Sequence, residues 1–284
     1  MQKSSGMLAL ITALTALTSS GAWAAAASSS DASEKLEEVT VTAHRAELQA
    51  RVAKFVNEIA ARGNDEGLPR WQTPVCPIVS GLPRPEGEFI LARISEIARA
   101  AAVPLAGEKC RPNLYILVHP QPRELLLAMQ KRNFIYTFGR DAYPTAVDEF
   151  IATPRPVRVW YNASEKFAVF GPNYASRLRY HSEWELTHVF VVVDQTRLRA
   201  VARGQLADYV ALVSLAQLKP DARLGDAPTI LKLFDGTPEI TAAGMTDWDQ
   251  AFLKSLYATD QISTLQRSQM AHQIVREVRI QDDH

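Results

Sequence analysis

The spacing of apolar residues predicts six helices along the chain. In the first of them, residues 46–62, apolar side chains recur every three or four positions and share one face, which is the pattern of an amphipathic helix. The segment Gln205–Leu218 is apolar on almost every side, so we expect a buried helix there. The other predicted helices are Glu88–Ala102, a segment entered at Pro122, a segment that begins at the capping box Thr246–Asp249, and Thr264–Arg279.

Four further segments have the patterns of strands. Leu114–Val118 and Val189–Val193 are largely apolar, which is typical of buried strands, and Val157–Tyr161 is another candidate. The run Arg177–Leu186 alternates between apolar and charged residues, which predicts a half-exposed strand. The order of these elements predicts an α+β fold in which a mixed sheet is flanked by helices.

The first residues have the three parts of a secretory signal peptide. Lys3 provides the positive charge, Met7–Leu17 is the apolar run, and Ala22–Ala24 fits the rule for cleavage after Ala24. The apolar run is shorter than the about 20 residues that a membrane-spanning helix needs. An uncleaved anchor is the alternative interpretation.

This leader predicts the domain organisation and the location of the protein. We expect a signal peptide over residues 1–24 and a flexible lead over 25–45 that includes a short strand at Val39–Thr42. A single globular domain is expected over 46–284, with a subdivision near residue 150 as the alternative. No later segment is apolar over the length of a spanning helix. We therefore expect a periplasmic or secreted protein with no membrane span after removal of the signal peptide.

Export changes the interpretation of the two cysteines, Cys76 and Cys110. In an oxidising compartment an even pair of cysteines usually forms a disulfide, so we predict a bond between them. Two unpaired thiols are the alternative. Two cysteines are also too few for a zinc site built from cysteines.

The charge of the chain argues against a nucleic-acid partner. The 284 residues include 31 basic and 31 acidic ones, and 47% are hydrophobic, as in a globular protein. Loss of residues 1–24 removes Lys3 and no acidic residue, which leaves 30 basic against 31 acidic residues, a net charge of −1. Proteins that bind nucleic acids over an extended surface need a clear basic excess.

Candidate chemistry is confined to one predicted strand, since the nucleophile elbow, the P-loop and the dinucleotide fingerprint are all absent from the sequence. His181, Glu183 and Glu185 alternate there, and an imidazole with two carboxylates can bind a divalent metal or exchange protons. Alternating charged residues are usually the solvated face of a strand, where Arg177 and Arg179 can pair with the acids, and this is the interpretation that we favour. His188 has the opposite parity and needs a bulge to join the group. We predict no catalytic, cofactor or metal residue. If the protein is a hydrolase, His181, Glu183 and Glu185 are the first candidates for its active site.

The segment Glu37–Arg45, which reads Glu-Glu-Val-Thr-Val-Thr-Ala-His-Arg, resembles the TonB box of outer-membrane receptors. In that family the strip pairs as an added strand with the periplasmic TonB protein. The resemblance implies a contact with TonB in a Gram-negative envelope. The barrel of the receptor family does not follow in this chain.

The second half of the chain is similar to a degenerate metzincin-like metalloprotease core. The resemblance rests on the order of four segments: Val189–Val193, Gln205–Leu218, Pro228–Phe234, and a last helix with the pattern Thr246-x-x-Asp249-x-x-x-Leu253-x-x-Leu256-Tyr257. In active members the buried helix carries His-Glu-x-x-His, which binds zinc. This chain has no histidine between His188 and His272, so the resemblance implies no zinc and no protease activity.

Three further motifs resemble a group of uncharacterised exported proteobacterial proteins. They are Trp71-x-x-Pro74-x-Cys76-Pro77, Cys110-x-Pro112-Asn113-Leu114 and Leu206-Ala207-Asp208-Tyr209. The resemblance brings no known activity. We expect an exported cell-envelope protein that is non-catalytic and has a binding or scaffolding role, with an unknown envelope protein or a small ligand as its partner. The alternative is a periplasmic hydrolase with an unrecognised active site.

Overall fold

The computed structural model describes residues 42–61, 67–132, 143–168, 181–235, 242–261 and 265–282. The chain divides into two units, residues 1–47 and 48–284. The predicted signal peptide, its cleavage site at Ala24 and most of the TonB-box-like segment lie outside the described residues, and residues 42–45 of that segment are helical. None of the helices in the described ranges is both long enough and apolar enough to cross a membrane.

Seven helices lie in the part of the chain that the structure describes. They are α1 at 42–59, α2 at Arg84–Ala100, α3 at Pro122–Lys131, α4 at Pro144–Ala152, α5 at Arg203–Leu215, α6 at Asp247–Ala258 and α7 at Gln266–Asp282. The six predicted helices are all present, with small shifts of their ends. The additional helix, α4, was not predicted because it is short and buries only Val147 and Ile151.

The sheet is mixed, as predicted, and its described strands run in the order β1-β2-β4-β3. The strands are β1 at Pro77–Ser80, β2 at Leu114–His119, β3 at Val157–Ala168 and β4 at His181–Asp194. β2 pairs in parallel with β1 and with β4, while β3 pairs antiparallel to β4. The sequence pattern did not predict β1, because this strand has only four residues and begins with a proline. A proline is tolerated at the start of an edge strand.

A β-bulge in β4 changes which side chains share a face of the sheet. Asn162 pairs with His188 and the next residue of β3 pairs with Leu186, so Thr187 is the extra residue. An extra residue reverses the alternation of the strand beyond it. As a result His188 lies on the same face as Glu185, although the sequence pattern alone assigned it to the opposite face.

Apolar side chains pack on both faces of the sheet. On one face, buried valines of β4 and residues of β2 join the main core with α1, α2, α5, α6 and α7, where Phe55 and Trp248 meet edge to face with ring centroids 5.4 Å apart. On the other face, Trp160 and Phe190 pack against Leu126 of α3 and against α4. The predicted arrangement of a mixed sheet flanked by helices is therefore present in the molecule.

Candidate functional site

The disulfide between Cys76 and Cys110 is present, as predicted, and it joins residues 34 positions apart. Cys76 directly precedes β1, and its backbone amide donates to the side-chain oxygen of Asn113 at 2.7 Å. Its carbonyl accepts a hydrogen bond from the backbone amide of Asn113 at 3.1 Å. The covalent bond and these hydrogen bonds together hold β1 beside the start of β2.

The acidic residues predicted to face solvent on β4 are engaged by their neighbours. Glu185 is only 2% exposed, which contradicts the solvated-face interpretation for this residue. Its carboxylate forms an ion pair with Lys166 and accepts a hydrogen bond from the hydroxyl of Thr73. Glu183 accepts a hydrogen bond from Nε2 of Gln72 at 3.0 Å.

The burial of Glu185 comes from the segment around Arg70, which lies between α1 and β1 and far from β4 along the chain. The amide of Leu186 donates to the carbonyl of Arg70 at 3.0 Å, and the amide of Arg70 donates to the carbonyl of Trp184 at 3.3 Å. These bonds place the residues around Arg70 along the first part of β4. A strand that is exposed by its own pattern is thus covered by a distant part of the chain.

The described side chains contain no group of three or more histidines, cysteines, aspartates or glutamates placed to hold a metal ion. The side chain of His181 lies outside the described part of the chain. Burial, and secondarily the positive charge of Arg111, lower the pKa of His188. The bulge therefore places a neutral imidazole on the face that carries Glu185.

The motif residues that carry the resemblance to exported proteins have structural roles. Trp71 is 1% exposed, and its indole N–H donates to the carbonyl of Ser214 at 2.9 Å. Asp208 on α5 is buried and forms an ion pair with Arg93 of α2. These contacts tie α5 to its surroundings, so the motifs stabilise the fold and identify no reactive group.

The candidate binding site is a cavity of about 450 Å³ beside the core-facing side of β3. One wall is formed by Val157, Val159 and Tyr161 of β3. A second wall is formed by Tyr209 and Val213 of α5. The loop after α5 and the short 3-10 helix Ile230–Phe234 provide the rest of the lining. Most of the lining residues are apolar, while polar atoms contribute about half of the surface that faces the cavity. Such a mixed lining suits a small organic molecule with both apolar and polar parts.

Two tyrosines provide polar atoms within this lining. The hydroxyl of Tyr161 donates to the carbonyl of Val213 at 2.8 Å, and burial raises the pKa of Tyr161. Burial, followed by the negative charge of Asp235, raises the pKa of Tyr209 to about 12. The ring of Tyr209 packs edge to face against Phe234 with centroids 5.2 Å apart. Both phenols are therefore neutral at physiological pH.

Gln217 is a lining residue whose side-chain oxygen has no partner among the described residues. Its Oε1 atom is buried and covered by surrounding protein atoms, so it does not face the cavity space. A buried polar atom without a partner costs about 1–3 kcal/mol. The side chain therefore belongs to the wall, and its oxygen is not an open acceptor for a ligand.

The rim of the cavity carries charged residues of both signs. The guanidinium of Arg155 donates to the carbonyl of Pro220, and Nζ of Lys219 donates to the carbonyl of Asn57 at 3.1 Å. Both cations are therefore held beside the segment that follows α5. Asp235, at the end of the short 3-10 helix, provides an exposed carboxylate.

Sequence analysis did not identify this cavity. Its walls come from β3, α5 and the loops around them, and each wall residue fits an ordinary core or loop pattern in its own segment. Tyr209 lies in one of the quoted motifs, but nothing in that motif indicates a cavity. Comparison with protein-family models, with curated proteins and with solved structures finds no match for this chain.

Proposed function

We propose that this protein is an exported, non-catalytic binding protein that holds a small, mainly apolar molecule in the cavity beside β3. The observation that carries the proposal is the cavity itself, in which aliphatic side chains of β3 and α5 and two tyrosine rings lie beside charged groups at the rim. The volume of about 450 Å³ lies within the range of roughly 300–1,000 Å³ that is usual for small-molecule sites. Apolar side chains of the walls supply affinity there, and polar groups of the lining supply orientation.

The chemistry of the lining supports binding in preference to catalysis. The described residues around the cavity include no serine, cysteine or histidine. Nucleophilic catalysis needs a nucleophile beside a base, and general acid–base catalysis needs a group that titrates near the working pH. Tyr161 and Tyr209 both have raised pKa values and serve as neutral hydrogen-bonding groups.

Export to the periplasm or the medium is part of the proposal. It is supported by the signal-peptide pattern of residues 1–24 and by the disulfide, since structural disulfides persist in oxidising compartments. The contact with TonB that residues 37–45 imply is a separate proposal, which rests on the sequence resemblance.

The similarity to a metzincin-like core enters the proposal only as the ancestry of the scaffold. In that resemblance α5 takes the place of the zinc-binding helix. This helix carries no histidine, and its one buried carboxylate, on Asp208, is ion-paired with Arg93. We therefore propose no zinc chemistry for α5.

The proposal is tested with an uncharged fluorescent probe, N-phenylnaphthylamine. We expect saturable binding of one probe per chain, with a rise in fluorescence as the probe leaves water. Replacing Ala222, a small residue of the lining, with tryptophan fills the cavity and is expected to abolish binding. Ala152→Trp at an exposed position of α4 is the matched control and keeps full binding.

Circular dichroism and urea unfolding show whether both variants are folded. The proposal is wrong if the native protein does not bind the probe saturably. It is equally wrong if a folded Ala222→Trp variant binds the probe as well as the Ala152→Trp control does.

A further inference from the structure

We infer that the molecule held in the cavity is an amphiphilic anion, an apolar body with one acidic group that lies at the rim beside Arg155 and Lys219. This inference rests on the proposed function, because it assumes that the cavity is the binding site. It adds the chemical class of the ligand: an aliphatic or aromatic acid, in contrast to a neutral or cationic compound.

The position of Arg155 is the first observation. It lies just before β3, is half-buried, and donates one of its N–H groups to the carbonyl of Pro220 across the rim. That bond restrains a side chain that is otherwise flexible, while the guanidinium retains further N–H groups. A restrained guanidinium loses less entropy when it binds a carboxylate or a sulfonate.

Lys219 provides a second cation on the same stretch of the rim. Its backbone amide donates to the carbonyl of Ile59 at 2.9 Å, and its Nζ donates to the carbonyl of Asn57 at 3.1 Å. Because Lys219 directly precedes Pro220, these bonds hold it next to the residue that Arg155 contacts. Both positive charges are thus anchored at the rim of the same cavity.

Neither of these cations has a carboxylate within ion-pair distance among the described residues. The ion pairs of the described chain involve other residues, such as Arg93 with Asp208 and Lys166 with Glu185. A bound anion would be attracted by both positive charges of this rim. The arrangement therefore favours an acidic group at this part of the rim.

Asp235 is the competing charge at the rim. It is exposed, and at the hydroxyl of Tyr209 its effect on the pKa opposes that of Arg155. The rim therefore carries two positive charges against one negative charge. Asp235 is the one acidic residue among the described lining residues. We therefore expect it to weaken the binding of an anion slightly without reversing the preference for an anion.

The test compares an anionic probe, anilinonaphthalene sulfonate, with the uncharged N-phenylnaphthylamine on the full exported chain. The two probes share an apolar body, so a difference between them reports the acidic group. Lys219→Gln is expected to weaken binding of the sulfonate about threefold, and the double variant Arg155→Gln/Lys219→Gln about tenfold. Because Arg155 and Lys219 belong to the rim, the effect is measured in each variant as the ratio of the sulfonate affinity to the uncharged-probe affinity. The control Lys131→Gln, at an exposed position of α3, should leave both affinities at their native values.

Two further measurements examine the same charges. Raising the salt concentration to about 0.5 M should weaken sulfonate binding and leave the uncharged probe unaffected, because salt screens exposed charges. Asp235→Asn should strengthen sulfonate binding about twofold.

The outcomes separate the two proposals. If the uncharged probe binds in the cavity and the double variant keeps native affinity for the sulfonate, the inference about the anion is wrong and the proposed function stands. Tighter binding of a cationic naphthylamine than of the sulfonate would overturn the inference in the same way. If neither probe binds the native protein, both proposals fail together.

Discussion

Removing the disulfide between Cys76 and Cys110 is expected to lower the free energy of unfolding substantially. The bond closes a loop between residues 34 positions apart. In the chain-entropy model a loop of this length stabilises the folded state by about 3.8 kcal/mol at room temperature, because it restricts the unfolded chain. For a domain of this size, that loss corresponds to a decrease in melting temperature of about 10 °C.

The surroundings of the bond suggest that the folded state survives its removal. The side chain of Asn113 accepts from the amide of Cys76 at 2.7 Å and donates to the carbonyl of Pro74 at 3.1 Å. β1 also stays paired with β2 through its backbone. The loss of stability should therefore arise mainly in the unfolded state, while the native secondary structure is retained.

The measurement is urea unfolding of the double variant Cys76→Ala/Cys110→Ala beside the native protein, each with and without a thiol reductant. The reductant should destabilise the native protein by about the same amount as the double substitution and should have no effect on the variant. The entropic reasoning is refuted if the double variant, with native circular dichroism, loses less than about 1 kcal/mol. A variant that loses its native circular dichroism without denaturant would contradict the expectation that hydrogen bonds hold β1 in place.

Three other predictions concern the core and the cavity. Arg93→Ala removes the ion-pair partner of the buried Asp208 carboxylate and leaves it the hydrogen bond from the backbone amide of Met245. We expect urea unfolding to show a decrease of about 2 kcal/mol in the free energy of unfolding. A decrease of less than half that size would contradict a stabilising role for this ion pair. Thr246→Ala removes the side chain that caps α6 and accepts from the amide of Asp249; thermal unfolding should show a loss of about 1 kcal/mol, with Thr246→Ser close to native. Burial raises the pKa of Tyr209 to about 12 in the folded state, so the folded protein favours the neutral phenol. The free energy of unfolding is therefore unaffected by this group below a pH of about 10. It falls as the pH rises from about 10 toward 12, by at most about 1.4 kcal/mol per pH unit. Tyr209→Phe should therefore flatten the pH dependence of stability in that range, and an unchanged slope would show that the hydroxyl is not buried in solution.

The helices and the disulfide could be predicted because each depends on a local signal or on a small number of choices. The apolar spacing in α1 and α7 predicts a helix without knowledge of the surface on which it packs. The capping box at Thr246 precedes the first residue of α6, as the sequence indicates. With two cysteines in the chain, only one intramolecular pairing exists. These features depend on short-range chemistry, which the sequence displays directly.

The arrangement around β4 could not be predicted in the same way. The charged alternation of this strand indicates a solvated face, yet Glu185 is 2% exposed because the segment around Arg70 lies along the strand. The bulge at Thr187 likewise has no local signature, and it alone moves His188 to the face of Glu185. The burial of Glu185 depends on a partner more than 100 residues away along the chain, as its pairing with Arg70 illustrates. The register of β4 depends on its pairing with β3.

The sequence by itself determined the α+β class, the six helices that its apolar spacing marks, and the pairing of Cys76 with Cys110. The tertiary structure alone decided which polar groups are buried and where a ligand has room. The cavity exists only where Tyr161 of β3, Tyr209 of α5 and Gln217 in the loop after α5 come together, and each of these residues is ordinary in its own segment. The physical reason is that a cavity is a property of imperfect packing between elements, whereas apolar periodicity reports only which side of each element is packed.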